Sequence, residues 1–268
     1  MDPQLRSMLD GSGEGLQRHR LADGRMAIVK RRRAAPGGFF AMEAHGLALL
    51  RAAGGLRVPE VLAVREDAIA LEDLGHGEAA SGAWARAGEA LAHQHAHHVE
   101  RFGLDRDGWC GDSPQANTHL ADGHAFFVQC RLLPQACRAR DAGLLDARDV
   151  SAIETLCARL PELLPPRPPV LLHGDLWTGN LHCAGDGEFA LIDAAAVHHG
   201  WAEAELAMLV LFGEPSRAFF AAYEAAAGIG SDWRRRAPLY NLYHLLNHLN
   251  LFGGGYLAQV RGVLREYA

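Results

Sequence analysis

Three polar side chains occur at spacings that suit chemistry on a phosphate group. Asp175 follows a short apolar run and precedes Asn180 by five residues, and Asp193 ends a second apolar run thirteen residues after Asn180. A carboxylate in the first position can take a proton from an attacking hydroxyl, and the amide and second carboxylate offer the oxygen ligands that Mg²⁺ prefers. The set therefore predicts phosphoryl transfer to a hydroxyl, with Asp175 as the base and Asn180 and Asp193 as magnesium ligands.

One ammonium group is available to hold the phosphates. Lys30 is the single lysine among 26 basic residues and ends the apolar run 26–29. A strand-ending lysine can pair with the α- and β-phosphates of ATP, and a glutamate on the next helix then holds it in place. Glu43 has that position, thirteen residues later. The alternative is that one lysine survived by chance, but a guanidinium is a poor substitute for a point-like ammonium.

Two further segments are predicted to touch the nucleotide. The glycine cluster 11–15, with Gly13 at its centre, would form a turn over the phosphates, although it lacks a complete nucleotide-binding fingerprint. The connector of Glu72, Asp73 and Leu74 would offer backbone groups to the adenine. Taken alone, the triplet 173–175 (His-Gly-Asp) is typical of a turn, the strand-ending Asp193 of a cap, and Glu43 of a solvated helix residue. The prediction therefore rests on their joint order along the chain.

The chemistry requires two kinds of scaffold. Residues 1–74 contain strand-like runs at 16–21, 25–30, 58–64 and 68–71 and a helical pattern at 39–53. Residues 75–268 are mainly helical in pattern, over 80–99, 121–142, 147–160, 202–212, 217–227 and 233–267, the last divided at 253–255. Short strand-like runs interrupt them between 165 and 200. We predict an α+β, bilobal protein-kinase-like fold, with a small β-rich N-lobe (1–74) and a larger, mainly helical C-lobe (75–268).

Composition excludes several other classes. The chain has 268 residues, a net charge of −6 and 49% hydrophobic residues, so it is neither disordered nor a broadly basic nucleic-acid-binding domain. No apolar run reaches the roughly 20 residues of a membrane span, and residues 1–4 do not begin a secretion signal. The five cysteines form no C-x-x-C pair and fit reduced thiols. We expect a cytoplasmic protein without nucleic-acid or membrane partners; a monomer is favoured, but the oligomeric state stays open.

Four histidines raise the alternative of a metal site: His93, His95, His97 and His98. On one helix only residues 93 and 97, or 95 and 98, share a face, and no acidic neighbour completes a zinc motif. We interpret them as surface or packing residues.

Over nearly its whole length the sequence resembles the fructosamine kinases (ketosamine-3-kinases), relatives of the aminoglycoside and choline phosphotransferases. The most specific stretches are 172–180, Leu-His-Gly-Asp-Leu-Trp-Thr-Gly-Asn, and 242–254, Leu-Tyr-His-Leu-Leu-Asn-His-Leu-Asn-Leu-Phe-Gly-Gly. The resemblance implies ATP and Mg²⁺ as cofactors and phosphorylation of the sugar C3 hydroxyl of a ketosamine, a glycated amine or lysine side chain. Because the 3-phosphate is unstable and releases the amine, it also implies a role in protein deglycation.

On the substrate side, the resemblance makes Trp177 and Asn117 candidates for contacting the sugar. Loop packing is an equally weighted alternative for Trp177. Three departures put the acceptor in doubt: Trp201 and Ala202 stand where the family commonly has Asp and Arg, and Glu205 stands where it has Asp.

Two other functions remain open. One is a small-molecule phosphotransferase of the aminoglycoside or choline kinase type with a different hydroxyl acceptor, and the other is a nucleotide-binding regulator without an acceptor. The choice among fructosamine, ribulosamine and other ketosamines also stays open, as does the choice between protein-bound and free substrate.

Overall fold

The computed structural model describes residues 3–268, and its N-terminal part is built around a four-stranded antiparallel sheet of order β1-β2-β4-β3. Its elements are α1 (Pro3–Leu9), β1 (Gly15–Arg20), β2 (Met26–Arg31), α2 (Phe39–Ala53), β3 (Val61–Val64) and β4 (Ala68–Glu72). The first two residues, on which the expectation of no secretion signal partly rests, lie outside the described range.

Strand β2 separates its side chains onto two faces. Ala27 and Val29 are buried in a small core that the sheet forms with α1. Ile28 and Lys30 alternate with them and line a cleft on the other face, as the two-residue period of a strand requires. The strand therefore anchors the sheet with one set of side chains and presents the lysine with the other.

Helix α2 lies directly against the C-terminal part of the chain. A Cβ atom at Gly46 would lie 2.0 Å from the carbonyl oxygen of Ala194, so the approach is open only to glycine. Ala194 follows Asp193 in sequence, and Glu43 lies three residues before Gly46 on the helix. The close contact therefore fixes the helix that carries Glu43 against the segment that carries Asp193.

The rest of the chain is mainly helical, with short strand pairs between the helices. Its elements are α3 (Ala83–His95), β5 (Gly108–Cys110), β6 (Ser113–Gln115), α4 (Gly123–Phe127), α5 (Leu133–Asp141), α6 (Ala147–Leu163), β7 (Val170–Leu172), β8 (Leu181–Cys183), β9 (Phe189–Leu191), β10 (His198–Gly200), α7 (Ala202–Leu209), α8 (Arg217–Ala227), α9 (Trp233–Phe252) and α10 (Leu257–Tyr267). Antiparallel pairs form between β5 and β6, β7 and β10, and β8 and β9. The last two pairs frame the segment that contains Asp175.

The predicted α+β composition, with a sheet first and helices after it, is confirmed. The divided helix is also confirmed: α9 ends at Phe252 and α10 begins at Leu257, with a short 3₁₀ turn between them. The strand predicted at 58–64 is shorter in the structure, where β3 covers Val61–Val64 alone. The helix predicted at 121–142 is interrupted by a π-helical turn (Val128–Leu132) between α4 and α5. Sequence patterns missed α1, the β5–β6 pair and β10. The lobe boundary after residue 74 stays a prediction.

The helices were also compared with the requirements of a membrane span. In residues 3–268, no helix combines the length and the apolar character needed to cross a bilayer. One large core runs from α2 into the C-terminal helices, and its largest fully buried side chains include Trp233, Tyr223 and Phe219.

Candidate active site

Three of the predicted charged residues meet in one ion-pair cluster. The Lys30 Nζ atom lies 3.1 and 3.2 Å from the carboxylate oxygens of Glu43 and 2.7 Å from Oδ1 of Asp193. Burial works against the charge of Lys30, but the two carboxylates together outweigh it and raise the pKa of Lys30. Burial raises the pKa of Glu43, and the ammonium opposes that shift. Lys30, which lies in β2, is thus charged and is held by one residue from α2 and one from the segment after β9.

The backbone at Asp193 is strained. Its φ angle is 61°, and it is the one non-glycine residue with positive φ in residues 3–268. Such a conformation costs on the order of 1 kcal/mol and persists where the surroundings fix it, often at functional sites. The Asp193 side chain remains half exposed at the cleft. The strain marks the position that was predicted to hold magnesium.

The side chain of Glu205 holds the loop that carries Asp175. The buried Glu205 carboxylate accepts hydrogen bonds from the backbone N–H groups of His173 at 2.9 Å and Gly174 at 2.8 Å. The His173 Nε2 atom lies 2.7 Å from the carbonyl oxygen of Ile192, which joins this loop to the segment before Asp193. Glu205, one of the family departures, therefore reaches both amides despite its extra methylene.

The carboxyl group of Asp175 lies in a largely buried environment. Burial raises the pKa of Asp175 to about 7, and the negative charges of Asp193 and Glu205 add to the shift. A carboxylate with a pKa near the working pH is suited to general-base catalysis. Two side chains beside it, Cys110 and His244, come from distant parts of the chain and were not predicted.

The amide of Asn180 is oriented toward the same loop. Its Nδ2 atom donates to the backbone carbonyl of Asp175 at 2.8 Å, whereas its Oδ1 atom accepts no hydrogen bond within residues 3–268. Together with the carboxylate of Asp193, this free oxygen gives an all-oxygen donor set, which fits Mg²⁺.

A cleft of about 600 Å³ opens between the sheet and the C-terminal part. This volume is within the usual range for small-molecule and cofactor sites. Lys30 and Asp193 line one end and Glu72, Asp73 and Leu74 line another part of the wall. The cleft therefore joins the predicted phosphate-binding and adenine-binding residues in one space.

The connector leaves one backbone donor free at this cleft. The N–H of Glu72 donates to Glu60 at 2.8 Å, and the N–H of Asp73 donates to Met26 at 3.0 Å. Within residues 3–268 the N–H of Leu74 has no hydrogen-bond acceptor. The side chains of Glu72 and Asp73 are engaged in ion pairs with arginines. Leu74 is thus the connector residue with an N–H available to a base edge.

The glycine turn reaches the cleft, but not through Gly13. Among the described residues, the ones from this turn that line the cleft are Glu14, Gly15 and Leu16. Gly13 instead packs against the Gln17 side chain, where an added Cβ would lie 1.7 Å from Nε2. The residues of the glycine turn that reach the cleft therefore lie one to three positions after Gly13, the residue that was predicted to do so.

The two substrate candidates have different environments. Trp177 is 41% exposed, two residues after Asp175, and its indole covers Gly179. Asn117 is 0% exposed, and its amide donates to Arg106 and accepts from the buried Arg131 at 2.8 Å. The prediction that Asn117 contacts the sugar is therefore wrong, because its side chain has no exposed surface. Asn117 instead accepts a hydrogen bond from the buried guanidinium of Arg131.

The departures at 201 and 205 are interior residues. The ring of Trp201 packs against Phe127 and Tyr240 with centroid separations of 5.9 Å, and its indole N–H donates to Arg167 at 3.1 Å. Ala202 begins α7. Trp201 thus fills the core, and Glu205 anchors a loop, so neither residue contacts the cleft that Lys30 lines.

Comparison with known proteins identifies the relatives of this chain. The profile described as fructosamine kinase matches residues 12–268. The chain is 35% identical over 254 residues to a probable ketoamine kinase of Synechocystis sp., covering 92% of this chain and 84% of that protein. It is 33% identical over 191 residues to the ketosamine-3-kinase of Mus musculus, covering 69% of this chain and 59% of that protein.

Solved structures agree with the sequence relatives. A crystal structure of a proposed fructosamine-3-kinase from Thermobifida fusca superposes with a TM-score of 0.85 at 36% identity, covering 95% of this chain and 90% of that one. The streptomycin–ATP complex of APH(2")-IIa superposes with a TM-score of 0.62 at 12% identity, covering 99% of this chain and 96% of that one, which shows a shared fold alone. The predicted protein-kinase-like fold is confirmed. Because the profile extends over nearly the whole sequence, the chain belongs to the fructosamine kinase family, ATP-dependent phosphotransferases that act on a sugar hydroxyl.

Proposed function

We propose that this protein transfers the γ-phosphoryl group of ATP to the C3 hydroxyl of a ketosamine. The observation that carries the proposal is the position of Asp175, whose pKa is raised to about 7, two residues before the exposed ring of Trp177. A carboxylate that ionises near neutral pH can take the hydroxyl proton, and an adjacent aromatic ring can pack against a sugar face. Family membership supports the choice of a ketosamine as the acceptor.

The nucleotide would be held by residues already fixed before it binds. Lys30, paired with Glu43, offers a point charge to the α- and β-phosphates, and the free N–H of Leu74 offers a hydrogen bond to the adenine. The Asn180 Oδ1 atom and the Asp193 carboxylate would hold Mg²⁺. When bound, this ion would neutralise charge on the β- and γ-phosphates. Lys30 currently pairs with Asp193 at 2.7 Å, so metal binding would exchange that contact.

The chemical step requires one proton transfer by the protein. As the acceptor oxygen bonds to the γ-phosphorus, the bond between that phosphorus and the bridging oxygen of ADP breaks, and the hydroxyl proton passes to Asp175. Glu205 keeps the Asp175 loop in place through the amides of His173 and Gly174. The protein thus supplies positioning and charge, which are the main contributions to catalysis of phosphoryl transfer.

The product suggests the biological role. A phosphate on C3 lies on the carbon next to the C2 carbonyl and is a much better leaving group than hydroxide. Once C1 loses a proton to give the 1,2-enol, the phosphate can leave from C3 as inorganic phosphate, and water then cleaves the carbon–nitrogen bond and releases the amine. We infer a role in deglycation, in the cytoplasm, where ATP is available and the five free cysteines remain thiols.

An acceptor panel tests the proposal. Purified protein with ATP and Mg²⁺ is given ribulosamine, fructosamine, a glycated protein, an aminoglycoside and choline, and ADP formation is measured. We expect turnover on ketosamines, a phosphate on C3 by ³¹P and ¹³C NMR, and none with Asp175→Asn. Turnover with the aminoglycoside or choline alone would contradict the proposal and indicate a phosphotransferase with a different acceptor. A thermal shift caused by the nucleotide, without turnover on any acceptor, would indicate a nucleotide-binding regulator.

A further inference from the structure

A soft-metal donor set lies beside the proposed base. Cys110 ends β5, His244 lies in α9, and Asp175 follows β7; the Sγ, imidazole nitrogen and carboxylate oxygen of these residues all lie within 4.8 Å of one another. The Cys110 Sγ and His244 Nδ1 atoms are 4.0 Å apart. Neither Cys110 nor His244 has a part in the proposed phosphoryl transfer. Their convergence on Asp175 therefore needs a separate account.

The three ligand atoms could close around a zinc ion with small side-chain movements. With zinc bonds of about 2.3 Å to sulfur and about 2.0–2.2 Å to nitrogen and oxygen, tetrahedral ligand atoms lie about 3.4–3.6 Å apart. The 4.0 Å between Cys110 and His244 would have to shorten by about 0.5 Å, and the separations to the Asp175 carboxylate, which are at most 4.8 Å, by up to about 1.4 Å; side-chain rotation can supply both. Thiolate, imidazole and carboxylate are all zinc ligands, and three protein ligands leave a fourth position for water.

The protonation states also suit a metal. Burial lowers the pKa of His244 to about 3, so the imidazole is neutral and keeps a lone pair at any working pH. Cys110 is buried, and burial raises the pKa of its thiol, so it is protonated without a metal. Zinc deprotonates a coordinating thiol outright, and the proton leaves to solvent as the zinc–sulfur bond forms. The amide of Asn247 donates to Cys110 Sγ at 3.3 Å and would stabilise the thiolate.

The site is accessible from one side. Cys110 and His244 are buried, whereas Asp175 is partly exposed on the loop that leads to Trp177. An entering ion would therefore reach the thiol and imidazole past the carboxylate. The sulfur and nitrogen ligands favour zinc over Mg²⁺, whose proposed ligands at Asn180 and Asp193 are oxygens alone.

We propose that Cys110, Asp175 and His244 bind one Zn²⁺ ion, and that this ion inhibits the enzyme by occupying the carboxylate that must accept the acceptor proton. The bound zinc would also block the space that the acceptor hydroxyl enters. It would not contact Lys30 or Leu74. Inhibition should therefore be competitive with the acceptor and leave ATP binding intact. The proposed inhibition by zinc rests on the proposed function, in which Asp175 is the base. The proposed binding of zinc does not depend on that function.

Direct metal binding is the first test. Protein freed of metal is dialysed against zinc at low micromolar concentration, and bound zinc is counted by elemental analysis for the wild type, Cys110→Ser and His244→Gln. Cobalt(II) serves as a spectroscopic probe, because thiolate ligation gives a charge-transfer band in the near ultraviolet. The matched control is His93→Gln with His97→Gln, a histidine pair in and beyond the last turn of α3 whose rings are 5.2 Å apart. Thermal melts establish that each variant is folded.

We expect one zinc per chain in the wild type and in the α3 control, and at least a tenfold weaker affinity in Cys110→Ser and His244→Gln. The cobalt band should disappear in folded Cys110→Ser. Equal zinc binding by wild type and Cys110→Ser, or no binding by either, would overturn the site. Loss of binding in the α3 control alone would assign the zinc to surface histidines and overturn it too.

The inhibition is tested separately from the binding. In the acceptor assay, micromolar zinc should raise the apparent KM for the acceptor at least tenfold in the wild type and less than twofold in Cys110→Ser. Zinc that binds at Cys110 without inhibiting turnover would overturn the inhibitory role. If the protein has no turnover on any acceptor, the proposed function fails, but zinc counts and the cobalt band still decide the site.

Discussion

The raised pKa of Asp175 means that Asp175→Asn should lose activity and gain stability. Burial, together with the charges of Asp193 and Glu205, raises the pKa of Asp175 to about 7, against about 3.9 in an unfolded chain. The folded state therefore binds this proton more tightly than the unfolded state. The stability that the protonated carboxyl contributes is complete below about pH 4 and is lost as the pH rises through about 7.

The size of the effect follows from the shift. About 3 pKa units correspond to about 4 kcal/mol at 1.36 kcal/mol per unit. The carboxyl is partly exposed, so solvent screens part of this penalty, and we expect about 2 kcal/mol in practice. An asparagine has no charge to lose or gain. The stability advantage of the variant should therefore grow between about pH 5 and pH 7 and stay constant above.

Urea unfolding at several pH values between about 5 and 8 measures this difference. The matched control is Asp232→Asn, because Asp232 is exposed and makes no side-chain cap hydrogen bond at the start of α9. Turnover of Asp175→Asn should fall by orders of magnitude while the ATP-induced thermal shift persists. The reasoning would be refuted if the difference in the free energy of unfolding between Asp175→Asn and the wild type did not grow with pH. It would also be refuted if that difference matched the one for Asp232→Asn.

Further predictions concern the rest of the cleft. Lys30→Arg should fold with an unchanged thermal midpoint and lose most of its kcat, because a guanidinium cannot make the same point contact between Glu43 and the phosphates; wild-type kinetics would contradict it. The kcat/KM value should fall about tenfold per pH unit below about pH 7 and level off above, because only ionised Asp175 accepts a proton, and a flat profile would count against the base. Trp177→Ala should raise the acceptor KM about fivefold and leave the ATP KM unchanged, a split that loop packing alone would not produce. Leu74→Pro removes the free N–H and should raise the ATP KM by roughly tenfold at constant acceptor KM.

The charged cluster was predictable because its members have fixed places in the order of elements. Lys30 lies near the end of β2 and Glu43 lies in the next helix, so their residue types and order predicted the ion pair that is observed at 3.1 Å. The contact of 2.7 Å between Lys30 and Asp193 was not predicted, because Asp193 was assigned to magnesium alone. The strain at Asp193 could not be predicted, since aspartate has no sequence signal for a φ of 61°. Residue type and spacing also predicted Asp175 and Asn180, whereas the family resemblance added Trp177 and Asn117 as substrate candidates.

Other positions depend on packing that no local pattern encodes. Asn117 was taken for a substrate contact because its stretch matches the family, yet a match does not distinguish a cleft residue from one that supports buried Arg131. Cys110 and His244 are 134 residues apart, and only the fold of α9 against the β5–β6 pair brings them to Asp175. Trp201 looked like a change near the site, but its side chain points into an aromatic core.

Three features that oppose folding lie at the cleft or next to the residues that line it, and their proximity is itself an argument for function. Asp175 is held with a raised pKa, Glu43 is a fully buried carboxylate, and Asp193 has a strained backbone. Each feature costs on the order of 1–3 kcal/mol, which is a large part of a typical stability of 5–15 kcal/mol. A fold without a task at this cleft would gain stability by losing any of them. All three lie where the proposed function requires a phosphate, a metal and a hydroxyl to be held at once. Under that proposal their unfavourable free energy is the cost of keeping charges in place before the substrates bind.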